Sequence, residues 1–380
     1  MPGVDRTTSS LWETPGVRTV LIAGAAMMIV ASACTGTNDG AVDAVSVGRT
    51  AVAPSSTDAP TSTTTTLPPT TTTTTTTLAP PLDFDGEARA LRTTTDVVLP
   101  VLETRPEGWL VRTPCQELAL VTNGTPLDRV HVVVDAGHGG FEPGAVSDEG
   151  ISEASLNFEV ATLVELQLRR HGIASTLTRY ADYRVPLVTR VEIAERLEAA
   201  LLVSVHHQGT DPNVPRSDTP GTEIYYQQTS EESKRFAGLL REEALVELGA
   251  FEVESWFAGT DAGATYRPNA ATGEDFYGMV RTPTMPAVLA EMSFMGNPEE
   301  LALLQTRAFI AAEAQAITNA IVRWFSTDDP GSGFVEPSFG LRSSGGGGGL
   351  SGCTDPDLGE TAELPADVTP DGVGEDSESG

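Results

Sequence analysis

The chain has 380 residues, with 53 acidic against 23 basic ones and a formal net charge of −30. That surplus excludes a nucleic-acid binder, which presents a basic footprint. Length alone suggests two or three units, but much of the chain lacks the composition of a core, which leaves one main domain of roughly 200 residues. Of the three cysteines, Cys34 falls in an export signal, while Cys115 and Cys353 could pair in an oxidising compartment, a point spacing does not decide.

Residues 1–34 read as a lipoprotein-type signal peptide. Arg6 and Arg18 precede the apolar run TVLIAGAAMMIV at 19–30, which is too short to span a bilayer comfortably. Ala31-Ser32-Ala33-Cys34 resembles a lipobox with Cys34 as the lipidation site; a plain cleaved signal is the alternative. Residues 35–82 become almost pure Thr and Pro. With no apolar surface to bury they read as a disordered, extended linker. Residues 83–129 hold the β-prone runs DVVLPVL, GWLVR and LALVT. They form a small β-rich extension, either an SH3-like unit or, the preferred reading, an arm packed on the main domain.

From residue 130 strands and helices alternate. The run VVV at 132–134 ends in Asp135 and breaks into a loop where His138 stands between Gly137, Gly139 and Gly140. Residues 155–171 read as a helix with Leu156, Val160, Leu163 and Val164 on one face and Gly172 as its stop. A strand follows at 173–178, a helix at 187–199, and a buried strand at 201–205 that ends at His206-His207. Strand 221–227, an amphipathic helix at 230–248 and strand candidates at 276–281 and 287–291 come next. Ile310, Ala314, Ile317 and Ile321 mark a last helix. This order predicts a single α/β domain over 130–327, with a mixed, mostly parallel twisted sheet flanked by helices. Residues 328–380 carry GGGGG and an acidic run without basic residues, and read as a disordered tail.

Ligands of open α/β sheets bind beyond the C-terminal ends of strands. Here His138, His206 and Glu291 stand at three strand ends, and Glu153 lies just before the first helix. Two neutral imidazoles and one carboxylate, with a position left for water, make a recurring zinc arrangement, and a separate carboxylate can then move the proton. Glu291 lies in the apolar run VLAEM, where a carboxylate is costly without a partner; it is either that proton carrier or half of a buried ion pair with an arginine.

VVVDAGHGG, ISEASLN, LTRYAD, LLVSVHH, GTEIYY and MPAVLAEMSFMGNPEE follow one another in this order over about residues 130–325. Together they resemble the zinc-dependent N-acetylmuramoyl-L-alanine amidase family, the peptidoglycan amidases of the AmiC and CwlV type. The resemblance implies Zn2+ held by His138 of the DxGHGG motif, Glu153 of ExxxN (with Asn157) and His206 of S-x-H, with Glu291 of PAVLxE as the catalytic carboxylate. It implies hydrolysis of the amide between N-acetylmuramoyl and L-alanine in peptidoglycan by a zinc-activated water, in cell-wall remodelling or cell separation. The signal segment, not the resemblance, places the protein outside the cytoplasm in the cell envelope, tied on the lipobox reading through Cys34 to the outer face of the plasma membrane; a protein activator is left open. The alternatives are an inactive wall-binding or regulatory module on the same fold, or another zinc hydrolase of the wall.

The sequence also departs from the family. His207-Gln208 stands where the family often has Ala-Asn, so His207 is a competing ligand; strand alternation lets only one of the two histidines face the metal, and His206 is chosen. Glu195 replaces a frequent Asn and is read as structural. Arg179 and Arg190 match recurrent arginines, with pairing to Asp182 or a glutamate as one reading. Asp135 reads as a loop-fixing residue, and His131 and His171 as bystanders. Residues 258–278 lie where some members carry a blocking helix, but they are short and rich in Gly and Pro, so an open groove is expected.

Overall fold

The computed structural model describes residues 79–209, 221–251, 263–337 and 348–368. The signal segment with Cys34, the linker up to residue 78 and the last acidic residues lie outside these. Five antiparallel strands come first: β1 (Ala90–Thr93), β2 (Val98–Arg105), β3 (Gly108–Arg112), β4 (Leu118–Val121) and β5 (Gly124–Leu127). Then follow β6 (Val132–Ala136), α1 (Glu153–Arg170), β7 (Ser175–Leu177), α2 (Leu187–Arg196), β8 (Leu201–Gln208), β9 (Glu223–Tyr226) and α3 (Glu231–Leu248). The chain continues through β10 (Ala264–Thr265), α4 (Gly278–Arg281), β11 (Ala287–Phe294), α5 (Pro298–Leu304), α6 (Arg307–Ser326) and β12 (Thr361–Ala362).

The second sheet has the order β10-β9-β11-β8-β6-β7. It is parallel except where β9 meets β11, so the fold is the mixed, mostly parallel α/β architecture expected from the sequence. Period-two alternation sorts its side chains. Val132, Val134, Leu201, Val203, Val288 and Ala290 pack with the apolar faces of α1, α3 and α6. Val133, Leu202 and Leu289 pack on the other side with α2, α4 and the start of the extension. Each buried Val or Leu side chain among them contributes roughly 1.5–3 kcal/mol. The strands therefore have two covered faces, and their carboxyl ends are where a ligand finds room.

The extension packs on the main domain through α2. Thr189 Oγ1 donates to the Pro114 carbonyl at 2.9 Å, Arg196 Nη1 donates to the Val101 carbonyl at 2.8 Å, and Arg112 pairs with Glu192 at 3.1 Å. Leu91, Leu99, Val111 and Val121 form its own small core with Tyr183 and Val185 of the main domain.

Several elements differ from the sequence reading. The extension has β1 and β5 besides the three expected runs. Residues 276–281 are not a strand: the chain turns through Phe276 and Tyr277 into the single turn α4. Helix α1 begins at Glu153 rather than at 155, because Ser152 caps it, its hydroxyl accepting from Ser155 N–H at 3.3 Å. Glu153 thus sits inside the first turn instead of before the helix. The described residues from 328 onward are not a free tail. Ala264 N–H donates to the Gly333 carbonyl and Val335 N–H to the Ala264 carbonyl, which extends the sheet edge at β10. Further on, Cys353 is joined to Cys115 by a disulfide, β12 pairs with β4, and Leu358 packs against the small core of the extension. Backbone pairing and a covalent tie hold a segment whose composition alone offered no core.

Candidate active site

The loop after β6 is shaped by close approaches. Gly137 N–H donates to the Val205 carbonyl at 3.1 Å. A Cβ at Gly137 would collide with the imidazole of His206, and one at Gly144 would collide with the Glu153 carboxylate and come within 2.7 Å of His138 Cδ2. His138 itself has φ of 59°, the left-handed region that side chains rarely adopt. Its conformation is held by Arg190, which donates to the carbonyls of His138 and Ala136 at 2.7 Å each. Arg179 braces the same turn, donating to the carbonyls of Ala136 at 3.0 Å and Gly137 at 3.2 Å.

Beneath the loop lies Asp135, fully buried. It accepts from Arg190 Nη1, Thr178 Oγ1 and Ser204 Oγ, each at 2.6 Å. Burial opposes its charge, but the guanidinium of Arg190 and the two hydroxyls hold its carboxyl below the ordinary carboxylate range. Arg190 therefore pairs with Asp135, not with Asp182 or a glutamate, and Arg179 makes its hydrogen bonds to backbone carbonyls. Asp182 instead accepts from Gly140 N–H at 2.7 Å. Glu195 accepts from the backbone and hydroxyl of Thr284. His131 bridges the Pro80 carbonyl and Ala174 N–H, and His171 caps α1.

Three of the sequence candidates meet. Glu153 Oε1 lies 3.2 Å from His138 Nε2 and 2.9 Å from His206 Nδ1, while its Oε2 accepts from Ala145 N–H at 2.9 Å. One donor atom from each of the three residues falls within 4.8 Å of the others. Ligand atoms around a tetrahedral zinc ion stand roughly 3.3 Å apart, so the donor set and its spacing fit that ion. The two glycines that leave room for the imidazoles and the carboxylate fit it as well. Burial opposes charge on Glu153, yet hydrogen bonds from His138 and His206 hold its carboxyl well below the usual range. Burial lowers the pKa of His206, against the pull of Glu153, which favours the neutral ring a metal needs.

Glu291 stands on β11 beside His206 in the parallel register. It is 8 % exposed, and among the described residues its Oε2 has no hydrogen-bond partner. Burial pushes its carboxyl well above the ordinary value; the charges of Glu153 and Glu223 add to this and Arg267 opposes it. A cavity of about 290 Å³ joins His138, Glu153, His206 and Glu291, with Tyr277 and Met279 among its walls. His207 faces away from His138, Glu153 and His206, with its ring between Asn157 and Glu313.

Sequence reasoning missed the wall opposite the imidazoles. Tyr277 accepts from Arg267 Nη1 at 2.9 Å, and its ring lies 4.7 Å from that of Tyr225. Residues 263–278 of the lid candidate thus line the cavity through Tyr277 and Gly278; residues 258–262 lie outside the described residues. It also missed Gly348, whose carbonyl accepts from Leu187 N–H at 3.0 Å at the rim of the same cavity. Nothing in a glycine run signals such a contact.

Fold and cavity together describe an α/β protein with a hydrolase-like site. Residues 132–323 match the Amidase_3 family, described as N-acetylmuramoyl-L-alanine amidase, and the chain belongs to that family. AmiA of Salmonella typhimurium, an N-acetylmuramoyl-L-alanine amidase, is 31 % identical over 218 residues, covering 51 % of this chain and 75 % of that protein. AmiA of Escherichia coli matches to the same extent. The catalytic domain of CwlV, an N-acetylmuramoyl-L-alanine amidase from Bacillus (Paenibacillus) polymyxa var. colistinus, is 31 % identical and covers 52 % of this chain and 98 % of that one, with a TM-score of 0.43. The family named from the motifs is the family the chain matches.

Proposed function

We propose that the chain hydrolyses the amide between N-acetylmuramoyl and L-alanine in peptidoglycan, using zinc held by His138, Glu153 and His206. The observation that carries this reading is the meeting, in one cavity, of that donor trio with the partnerless Oε2 of Glu291. A zinc ion bound there would polarise the scissile carbonyl and bring the pKa of water toward neutrality.

The chain's own residues do the rest. Glu291, raised in proton affinity by its burial, accepts the proton of the attacking water at Oε2 and passes it to the departing amine of L-alanine. The Asp135–Arg190 pair keeps the His138 turn in its left-handed conformation, so the imidazole does not have to reorganise during turnover. Leu289, Met279 and Tyr277 supply an apolar wall that strengthens these polar interactions.

The same reading makes residues 130–327 the catalytic unit, 1–34 an export signal lipidated at Cys34, and 35–82 a spacer that lets the enzyme reach wall polymer from the membrane for remodelling or cell separation. The Cys115–Cys353 disulfide supports an extracytoplasmic location, since such bonds persist in oxidising compartments. Among the described residues no helix is long and apolar enough to cross a membrane.

The test is digestion of purified peptidoglycan fragments by the zinc-loaded chain, with product amino termini sequenced. Stem peptides beginning in L-alanine are expected, and release should stop with a chelator. Glu291→Gln should lower kcat by about 10²–10⁴-fold with zinc content unchanged. Zinc-loaded protein that releases no stem peptide, or an active Glu291→Gln, overturns the reading.

A further inference from the structure

His207 and Glu313 are completely buried, and the hydrolytic chemistry uses neither. His207 is also the residue that departs from the family pattern. Their surroundings nonetheless form one chain of hydrogen bonds that ends at the ligand trio. His207 Nδ1 lies 2.7 Å from Asn157 Oδ1 and His207 Nε2 lies 3.1 Å from Glu313 Oε2. The other Glu313 oxygen accepts from Ser293 Oγ. Asn157 directs its Nδ2 to the Gly137 carbonyl at 3.2 Å and to Glu153 Oε1 at 3.5 Å. The backbone N–H of His207 also points to Glu153 Oε1, at 3.4 Å.

Donor and acceptor roles follow from the ends of this chain. The Gly137 carbonyl can only accept, so Asn157 presents its amide hydrogens there and keeps Oδ1 as an acceptor. His207 must then donate from Nδ1. One proton lies on the line between His207 Nε2 and Glu313 Oε2, whichever atom carries it. Every polar atom of the His207 ring is thus engaged, and the ring has one orientation. A buried carboxylate and imidazole of this kind are costly unless fully paired, and when paired they fix geometry.

We propose that His207 and Glu313 are positioning residues for the metal-ligating carboxylate: Glu313, carried by α6, fixes the His207 ring, the ring fixes Asn157, and Asn157 together with the His207 backbone fixes Glu153 Oε1 between His138 and His206. This rests on the reading of Glu153 as a ligand. A ligand held from behind loses less freedom when the ion arrives, so the expected consequence is in zinc affinity.

The experiment measures zinc affinity of the full chain by chelator competition, with the fold monitored by circular dichroism. Glu313→Leu cuts the chain at its root and should weaken zinc binding by about 10–100-fold. Glu313→Gln can donate to His207 Nε2 and accept from Ser293, so it should stay within about threefold of the parent. Should Glu313→Leu fail to fold, the double variant His207→Phe, Glu313→Leu replaces both polar partners with apolar volume and should fold while binding zinc as weakly. Folded Leu or double variants with zinc affinity within about twofold of the parent overturn the proposal, and so does a Gln variant as weak as Leu. Absence of zinc binding in the parent chain overturns the ligand assignment itself, a result distinct from both.

Discussion

The two sheets of this molecule are held by opposite means. Around the mixed sheet's carboxyl end, charge is buried: Asp135, Arg190, Glu153, Glu291 and Glu313 all lie out of solvent, and all but Glu291 are aimed by hydrogen-bonded neighbours. In the extension the charges are peripheral. Arg89 meets Asp85 and Glu198, and Arg105 meets Asp367, in pairs with an exposed carboxylate side. Pairs of that kind are screened by solvent and add little to stability. The extension relies instead on a small apolar core and on a disulfide that reaches across 238 residues of sequence. Buried charge is expensive, and here it is concentrated around the candidate site; fastening is left to apolar contact and a covalent bond.

The sharpest way to break this contrast is to remove one buried charge. Asp135→Asn leaves the Arg190 guanidinium buried without its counter-charge, and is expected to lower the unfolding free energy by about 3–5 kcal/mol at neutral pH. The folded-state pKa of Asp135 lies below its unfolded value, so its stabilisation is present above about pH 4 and is lost as pH falls through the folded value. The deficit of the variant should therefore shrink on acidification. Urea titrations of both proteins across that range check it; a deficit that does not change with pH would mean the charge is not what Arg190 needs.

Cutting the covalent tie tests the other side. Cys353→Ser opens a closed loop of more than two hundred residues and is expected to cost about 2–4 kcal/mol, the range typical of disulfides. The three residues proposed to hold zinc lie on β8, α1 and the β6 loop, none of which the disulfide touches, so zinc affinity should be unchanged. A chelator competition showing weakened zinc binding in folded Cys353→Ser would mean that the tail shapes the site, and the division drawn between the two sheets would fail.

The same contrast explains what could be read from the sequence. His138, His206 and Glu291 could be picked out as candidates because each is a polar residue closing an apolar run, and the order of the motifs around them resembles one family. The strands and long helices were legible because a two-sided sheet demands apolar runs and amphipathic faces. The docking of the C-terminal segment was not. Thr361 and Ala362 are both exposed, and they are held through their backbone, which leaves no side-chain period. Gly348 binds the start of α2 through a carbonyl that every residue possesses. The role of Glu313 was hidden for a different reason: 106 residues separate it from His207, and only the folded chain makes them neighbours. Helix α4 was misread as a strand because a single turn shows too few residues for its period to emerge.

A last buried carboxylate sits between these regimes, and its effect is the most gradual. Glu300 on α5 accepts from Gly221 N–H at 2.9 Å and from Phe294 N–H at 2.6 Å, tying the start of the β9 segment to the end of β11. Burial pushes its carboxyl up to about 8, although both backbone donors favour the ionised form. A group whose folded pKa is raised holds its proton in the folded state between the two values, so stability is full below the unfolded pKa and falls as pH rises toward 8. The slope is at most about 1.4 kcal/mol per pH unit. Other groups titrate in this window, so the informative quantity is the difference between the parent and Glu300→Gln, measured by urea midpoints from pH 5 to 8. The parent should lose its advantage over the variant as pH rises. A difference that stays flat would mean that the two backbone donors outweigh burial and that Glu300 is ionised throughout, which would make it one more oriented buried charge at the carboxyl end of β11.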